Sequence, residues 1–367
     1  AKISRANLKV GFALLFLVAV WIYTYLQSGG GDGTTILVVA AIVGGYMAMT
    51  IGANDVANNV GPAVGSKALT MTGALIIAAI FEVSGAVIAG GDVVTTISKN
   101  IIAADSIPDR DAFVWCMLSA LLSAALWVHL ATALGAPIST THSIVGGVMG
   151  AGIAVAGMDA VNWPTMAGIA ASWVISPILG ALIAALFLAF IKFAILYQPD
   201  RIAAARRWVP VLVSLMASSF TVYLVAKGLG HVWKPGAGTL SGLGIASFVV
   251  THFVGRRAVN RASINLQNRR KGVSNLFTIP LICAAALLSF AHGSNDVANA
   301  VGPLAAIVSV LAGGEIAAKV TLPFWVLAVG GIGLSVGLLL FGPKIIRIVG
   351  EKITRLDRAR AFCVALS

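Results

Sequence analysis

The sequence predicts an all-α polytopic membrane protein built from inverted-topology repeats with broken helices or re-entrant hairpins. Three observations predict it. The chain has 367 residues, is 59% hydrophobic and only 10% charged, where a soluble chain carries about a quarter charged residues. Its apolar runs are long enough to cross a bilayer, which takes about 20 helical residues. And Gly52-Ala53-Asn54-Asp55-Val56-Ala57-Asn58-Asn59-Val60-Gly61-Pro62 returns 241 positions later as Gly293-Ser294-Asn295-Asp296-Val297-Ala298-Asn299-Ala300-Val301-Gly302-Pro303. A polar cluster duplicated inside a membrane protein marks a transporter made of two repeats, with its site where they meet.

Ten crossing segments are predicted, at 10–26, 35–52, 70–90, 112–134, 138–158, 163–195, 210–230, 238–255, 275–292 and 320–341. The first runs directly into Gly29-Gly30-Gly31 with no A-x-A-like cleavage site, so it reads as a retained helix and not a signal peptide. The 163–195 run is long enough to tilt or to project beyond the bilayer. The chain is accordingly divided into an additional N-terminal helix (1–33), a first repeat (34–195), connecting helices with basic loops (196–274) and a second repeat (275–367), incomplete at its C-terminal end.

The net charge of +12 is placed as membrane topology places it and not as nucleic-acid binding would. Arg201, Arg206 and Arg207 form one loop cluster. Arg256, Arg257, Arg261, Arg269, Arg270 and Lys271 form a second, and Lys344, Arg347, Lys352, Arg355, Arg358 and Arg360 a third. The positive-inside rule puts these in the cytoplasm, with lipid-headgroup contact as a natural extra role. With the basic N-terminus (Lys2, Arg5, Lys9) also inside, counting crossings puts 92–111 outside, where Asp92, Asp105, Asp109 and Asp111 outnumber Lys99 and Arg110. On that count 35–52 runs inward and 275–292 outward, so the duplicate motifs enter from opposite faces. The expected location is the plasma membrane, of the bacterial inner-membrane type, with a cytoplasmic N-terminus.

Cys116, Cys283 and Cys363 have no metal-site spacing and read as small core residues. An ionised Asp at membrane depth is costly unless it meets a cation or strong donors. On a helix Asn54 and Asn58 share a face with Asp55 beside them, and Asn295, Asp296 and Asn299 repeat the pattern. Carboxylate and amide oxygens suit a hard cation such as Na⁺. Glycines before each pair, and Gly61-Pro62 and Gly302-Pro303 after it, would open the helices and add backbone ligands, so Ala53 and Ser294 join the candidate set. The plainer alternative is a pair of interhelical polar clamps.

Ala136-Pro137-Ile138-Ser139-Thr140-Thr141-His142-Ser143 opens an apolar, glycine-rich run. Pro followed by Ser and Thr is a helix-start signal. A helix start in the membrane offers free N–H groups and a positive dipole end to an anion, with three hydroxyls as further donors. Gly146, Gly147, Gly150 and Gly152 would admit a close neighbouring helix. Ordinary capping of a buried helix is the competing reading.

Together these elements resemble the inorganic phosphate transporter (PiT) family, over roughly 34 to the C-terminus. The resemblance implies Na⁺- or H⁺-coupled phosphate uptake, inverted repeats with re-entrant hairpins, and a homodimer. It implies Na⁺ at Asn54, Asp55, Asn295 and Asp296, with Asn58 and Asn299 in the ion site. It implies phosphate at Ser139, Thr140 and Thr141, closed by Asp55 and Asp296 through bound cations. Two features depart from the pattern. The 10–26 helix is additional. A second Ser-Thr-Thr-His element is expected about twenty residues beyond Ser367, when corresponding positions of the two halves are aligned.

Glu82, in an apolar helix, is a candidate for ion coordination, proton coupling or gating, a position to which the resemblance also assigns a functional Glu. His142 either polarises the hairpin or simply packs. His292 adjoins the second motif and braces it; His129, His231 and His252 read as structural. Trp21, Trp127, Trp163, Trp208 and Trp233 near segment ends fit an aromatic belt. No nucleophile, base or metal set has enzymatic spacing. The expectation is therefore a phosphate symporter with co-transported Na⁺ and no cofactor. H⁺ coupling is the alternative, as is sulfate or another tetrahedral oxyanion on the same scaffold.

Overall fold

A computed structural model describes residues 5–31, 33–90, 101–103, 106–228, 233, 235–314, 323–353 and 356–367. Asp92, Lys99, Asp105, His231, Arg355 and Lys2, which entered the topology and histidine readings above, lie outside the described residues. The helices are α1 (Arg5–Ser28), α2 (Thr34–Asn54), α3 (Ala57–Gly65), α4 (Met71–Ala89), α5 (Arg110–Leu134), α6 (Thr140–Ala156) and α7 (Trp163–Ile191). They continue with α8 (Arg201–Tyr223), α9 (Ala237–Ala262), α10 (Arg270–Leu276), α11 (Thr278–Leu311), α12 (Phe324–Arg347) and α13 (Arg358–Leu366). Single π-turns extend α7, α8 and α12.

Nine helical stretches among the described residues are long and apolar enough to cross a membrane. α7 and α9 expose large apolar side chains, including Ile178, Leu186 and Val250, which only lipid or a partner can cover. This is an integral membrane protein. The tenth expected crossing, 138–158, is corrected. Its helix α6 has 17 residues, a rise of about 25 Å against a hydrocarbon core of roughly 30 Å. It is the return leg of a hairpin with α5. An antiparallel bridge between Ile102 and Val161 ties the hairpin's open end. At the tip, Gly135 ends α5 with φ of 80°, a left-handed conformation that glycine adopts without a Cβ penalty.

The breakers act differently from expectation. In the first copy the helix is interrupted at Asp55–Val56, between α2 and α3. In the second copy α11 runs unbroken from Thr278 to Leu311 through Asn295 and Asp296. Neither proline ends its helix: Pro62 lies inside α3 and Pro303 inside α11.

The chain divides into two compact units. The first comprises 1–57, 75–171 and 289–348 and holds the first copy as far as Ala57 and the whole of the second. Its helices cross at glycines, in two matching pairs. A Cβ on Gly52 would overlap the Leu334 carbonyl and one on Gly337 the Met49 carbonyl, so α2 and α12 touch backbone to backbone. A Cβ on Gly293 would overlap the Glu82 carbonyl and one on Gly85 the Phe290 carbonyl, so α11 and α4 do the same. Gly52 and Met49 correspond to Gly293 and Phe290 under the motif's own register. Each motif helix therefore packs on the helix that follows the other copy, and small residues make that approach possible. Between α5 and α6 only part of the expected glycine stripe is used. Gly147 faces the Ala120 carbonyl and Gly152 faces Ile102, while Gly146 and Gly150 face open space. α1 packs on α2 and α12, with Phe16 and Val20 against Gly45.

The second unit comprises 58–74, 172–288 and 349–367. Here α8 and α9 pack side by side. Arg358 ties three segments, donating to Asn275 Oδ1 at 2.6 Å, Thr278 Oγ1 at 2.9 Å and the Lys67 carbonyl at 3.1 Å. Cys363 is buried against this cluster, and burial with Asp357 nearby pushes its thiol up to about 12. Cys116 is likewise buried, but Cys283 is exposed, which corrects its reading as a core residue.

Candidate functional site

The hairpin tip is held by one asparagine. Asn54, the last residue of α2, is buried. Its Nδ2 donates to Thr132 Oγ1 at 2.9 Å and to the Ala136 carbonyl at 3.0 Å, and its Oδ1 accepts the Ile138 N–H at 3.0 Å. A carboxamide alone offers both donors and an acceptor in this geometry. Its oxygen, expected to face a cation, is thus already engaged by the loop that leads into α6.

That loop delivers the start of α6. Ser139 is its N-cap, with Oγ accepting the His142 N–H at 3.2 Å. The serine hydroxyl expected to meet substrate satisfies a helix N–H here. Thr140 follows, fully buried. Its hydroxyl lies 2.8 Å from Asp55 Oδ2 and 3.1 Å from Asp296 Oδ2. The acids of the two motif copies therefore meet on one side chain. Thr141 accepts a hydrogen bond from Asn299 Nδ2 at 3.0 Å, so the second copy also grips the helix start.

A histidine enters this cluster. His292 Nε2 lies 3.3 Å from Asp296 Oδ2, one helical turn along α11, without the alignment of a hydrogen bond. Its Nδ1 lies 2.9 Å and 3.0 Å from the two oxygens of Glu82, whose side chain is 0% exposed. The buried acid of α4 is thereby joined to the motif acid of α11. One ligand atom each from Asp55, His292 and Asp296 lies within 4.8 Å of the others, a spacing at which a single cation can be shared. Two carboxylates this close repel each other by several kcal/mol at an effective dielectric near 20 unless positive charge intervenes.

The expected site residues separate accordingly. Asp55, Asp296, Thr140, Thr141, Asn299, Asn54 and Glu82 converge in the first unit. Ala53 is buried at the end of α2, and Ser294 is buried with its hydroxyl donating to the Ala89 carbonyl at 3.2 Å. Asn295 is exposed on α11, unlike its counterpart Asn54. Asn58 is exposed on α3, in the second unit, and His142 is exposed beside the hairpin tip. His292 connects two acids, which the sequence reading cast as a brace; its i,i+4 spacing to Asp296 was the signal available.

The model of the Phosphate transporter family matches residues 51–367. A putative phosphate permease of Helicobacter pylori is 49% identical over all of this chain and 69% of its own length. One from Pyrococcus abyssi is 38% identical over 90% of this chain and 81% of its own. A solved structure described as the sodium-dependent phosphate transporter superposes with a TM-score of 0.85 at 39% identity, covering 90% of this chain and 82% of that one. These relatives are permeases and transporters, not enzymes, and the chain belongs to the phosphate transporter family.

Proposed function

We propose that the protein is a secondary active symporter that imports inorganic phosphate together with Na⁺ by alternating access. The observation that carries this reading is the meeting of Asp55 and Asp296 at the Thr140 hydroxyl. Two carboxylates alone would repel an anion. With cations between them they become an anchor for one, so anion and cation must bind together, which is the thermodynamic basis of symport. Oxygen ligands favour a hard cation, and a solved relative is described as sodium-dependent. Phosphate at neutral pH carries an O–H that a carboxylate can accept, and sulfate does not, which favours phosphate. Donors for the anion come from the start of α6, at Ser139, Thr140 and Thr141. Ala53, Asn54, Ser294, Asn295 and Asn299 complete the cation set within the first unit.

The exchanged crossings of α2 on α12 and α11 on α4 support reading the duplication as two interlocked, inverted repeats that rock about the shared site. The cytoplasmic N-terminus, plasma-membrane location and homodimer belong to the same reading. H⁺ coupling is the second reading, favoured by one observation: Glu82 is wholly buried and joined through His292 to Asp296.

The test is uptake of labelled phosphate into proteoliposomes at fixed pH, with an inward Na⁺ gradient or choline in its place. Na⁺ should accelerate uptake at least tenfold, an effect of about 1.4 kcal/mol, and excess sulfate should leave it unchanged. Asp55→Asn and Asp296→Asn should each abolish it. Equal rates in Na⁺ and choline would refute Na⁺ coupling, and inhibition by sulfate would move the substrate to oxyanions in general.

A further inference from the structure

The second unit holds a cavity of about 1020 Å³ between the first turns of α8 and the last turns of α9. Four arginines line it: Arg206 and Arg207 from α8, Arg256 and Arg261 from α9. Among the described residues no acidic side chain lines it. The nearest acid in sequence, Asp200, is occupied in capping α8 through the Ala203 N–H. Among the described residues, none of the four arginines makes a salt bridge. The four are exposed, so solvent screens part of their repulsion, and together they form a positive cleft that draws an anion.

The cavity is also prearranged. Arg206 Nε donates to Ser263 Oγ at 2.7 Å, and that hydroxyl donates in turn to the Asn260 carbonyl at 2.9 Å. Ser263 is buried, so it fixes the guanidinium from the neighbouring helix and leaves the fork's other edge to a ligand. Arg207 lies over the Trp208 ring at 5.2 Å. Guanidinium forks match phosphate oxygens in pairs, which ammonium groups do not. The cavity lies where two spans, Arg201–Gly228 and Ala237–Ala262, begin and end together. That is headgroup depth, where an interfacial Trp is expected. Val211 and Ile264 supply an apolar wall beside the arginines, as an acyl chain requires and a free ion does not.

We propose that this cavity binds the phosphate of an anionic phospholipid, at a site apart from the residues that handle the transported anion. The ligand chemistry, phosphoryl oxygens on guanidinium forks, is shared with free phosphate, so the test must separate the two sources.

The whole protein is placed in phosphatidylcholine nanodiscs with or without phosphatidylglycerol. Lipid retention is read by native mass spectrometry and stability by thermal melting. Phosphatidylglycerol should be retained and should raise the melting temperature. Arg206→Gln with Arg256→Gln should cut retention at least about tenfold, since one charge-assisted hydrogen bond alone accounts for that much and two guanidiniums are removed, and remove the shift. The control pair Arg257→Gln with Arg269→Gln changes the net charge equally outside the cavity lining and should keep both. If the cavity pair does not fold in phosphatidylcholine alone, Arg206→Lys with Arg256→Lys keeps the charge and should still lose retention severalfold. Equal losses in cavity and control pairs would reduce the effect to general charge attraction and overturn the proposal. So would no loss in the cavity variants. Inorganic phosphate that stabilises the wild type in phosphatidylcholine, but not the cavity pair, would make this a soluble-anion site and overturn the lipid assignment.

Discussion

The Thr140 hydroxyl sits 2.8 Å from Asp55 Oδ2 and 3.1 Å from Asp296 Oδ2. A threonine has one hydroxyl proton, so it satisfies one carboxylate at a time. The other oxygen must find a cation or a different donor. Thr140→Val should therefore weaken Na⁺ and phosphate binding together, by roughly tenfold to a hundredfold for loss of a hydrogen bond to a charged group. Thr140→Ser should restore most of it. Binding measured by isothermal titration at several Na⁺ concentrations checks this. A Val variant with normal affinity for both ions would remove Thr140 from the site.

Asn54 and Asn295 occupy matching motif positions, yet one is buried in three hydrogen bonds to the hairpin and the other is exposed. Asn54→Ala should cost about 2–3 kcal/mol of stability, from unsatisfied loop groups at Ala136 and Ile138. Asn295→Ala should cost under 1 kcal/mol. Asn54→Asp should resemble Asn54→Ala, because a carboxylate cannot donate to the Ala136 carbonyl. Thermal melting of the four proteins ranks them, and equal losses at the two asparagines would contradict the asymmetry.

Glu82 and His292 are joined across α4 and α11. Removing one leaves the other buried without its partner, which is more damaging than removing both. Glu82→Gln and His292→Gln should each reduce uptake strongly. The double variant should fall short of the product of the two effects, with a coupling of about 1–3 kcal/mol in a double-mutant cycle. Strict additivity would mean that the contact has no functional consequence.

The duplicated motif, the helix start at Ser139 and the lone Glu82 were legible because each is a polar signal in an apolar chain. The partners were not. Asn54 meets Ala136 and Ile138 more than eighty residues away, and Glu82 meets His292 across 210, distances over which periodicity carries no information. Nor could composition separate the interrupted first copy from the continuous α11. Both contain the same glycines and proline, and tertiary packing decides which ladder opens. The tenth crossing was misread because α6 has the apolarity of a span and falls short of one only in length.

Glycines at the two matching crossings give a test of the duplication itself. Gly52→Ala and Gly293→Ala each place a methyl on a backbone carbonyl of the facing helix, at Leu334 and at Glu82. Neither carbonyl can rotate away as a side chain would. Both variants should lose at least about 1–3 kcal/mol, the usual cost of overpacking, and to a similar extent. Gly146→Ala, which faces open space, should be neutral or slightly stabilising from helix propensity. Melting midpoints in detergent decide it, and a neutral Gly293→Ala would break the equivalence of the crossings.

Topology can be read with an impermeant thiol reagent, and the structure determines where the probes belong. Ser263 lies in the basic loop but is buried with its hydroxyl bonded to Arg206, so a cysteine there would stay unlabelled on either side of the membrane. Ile264, next to it, is 70% exposed. On the acidic side Pro108 is exposed, just ahead of Asp109, which caps α5 through the Ala112 N–H. Native Cys283 is exposed and must first be replaced. In intact cells Pro108→Cys should react and Ile264→Cys should react only after permeabilisation. Basic residues surround Ile264 and acidic ones flank Pro108, so this outcome is the positive-inside rule read at two positions. Labelling of Ile264→Cys in intact cells, with Pro108→Cys protected, would reverse the orientation and place the arginine cavity on the outer face.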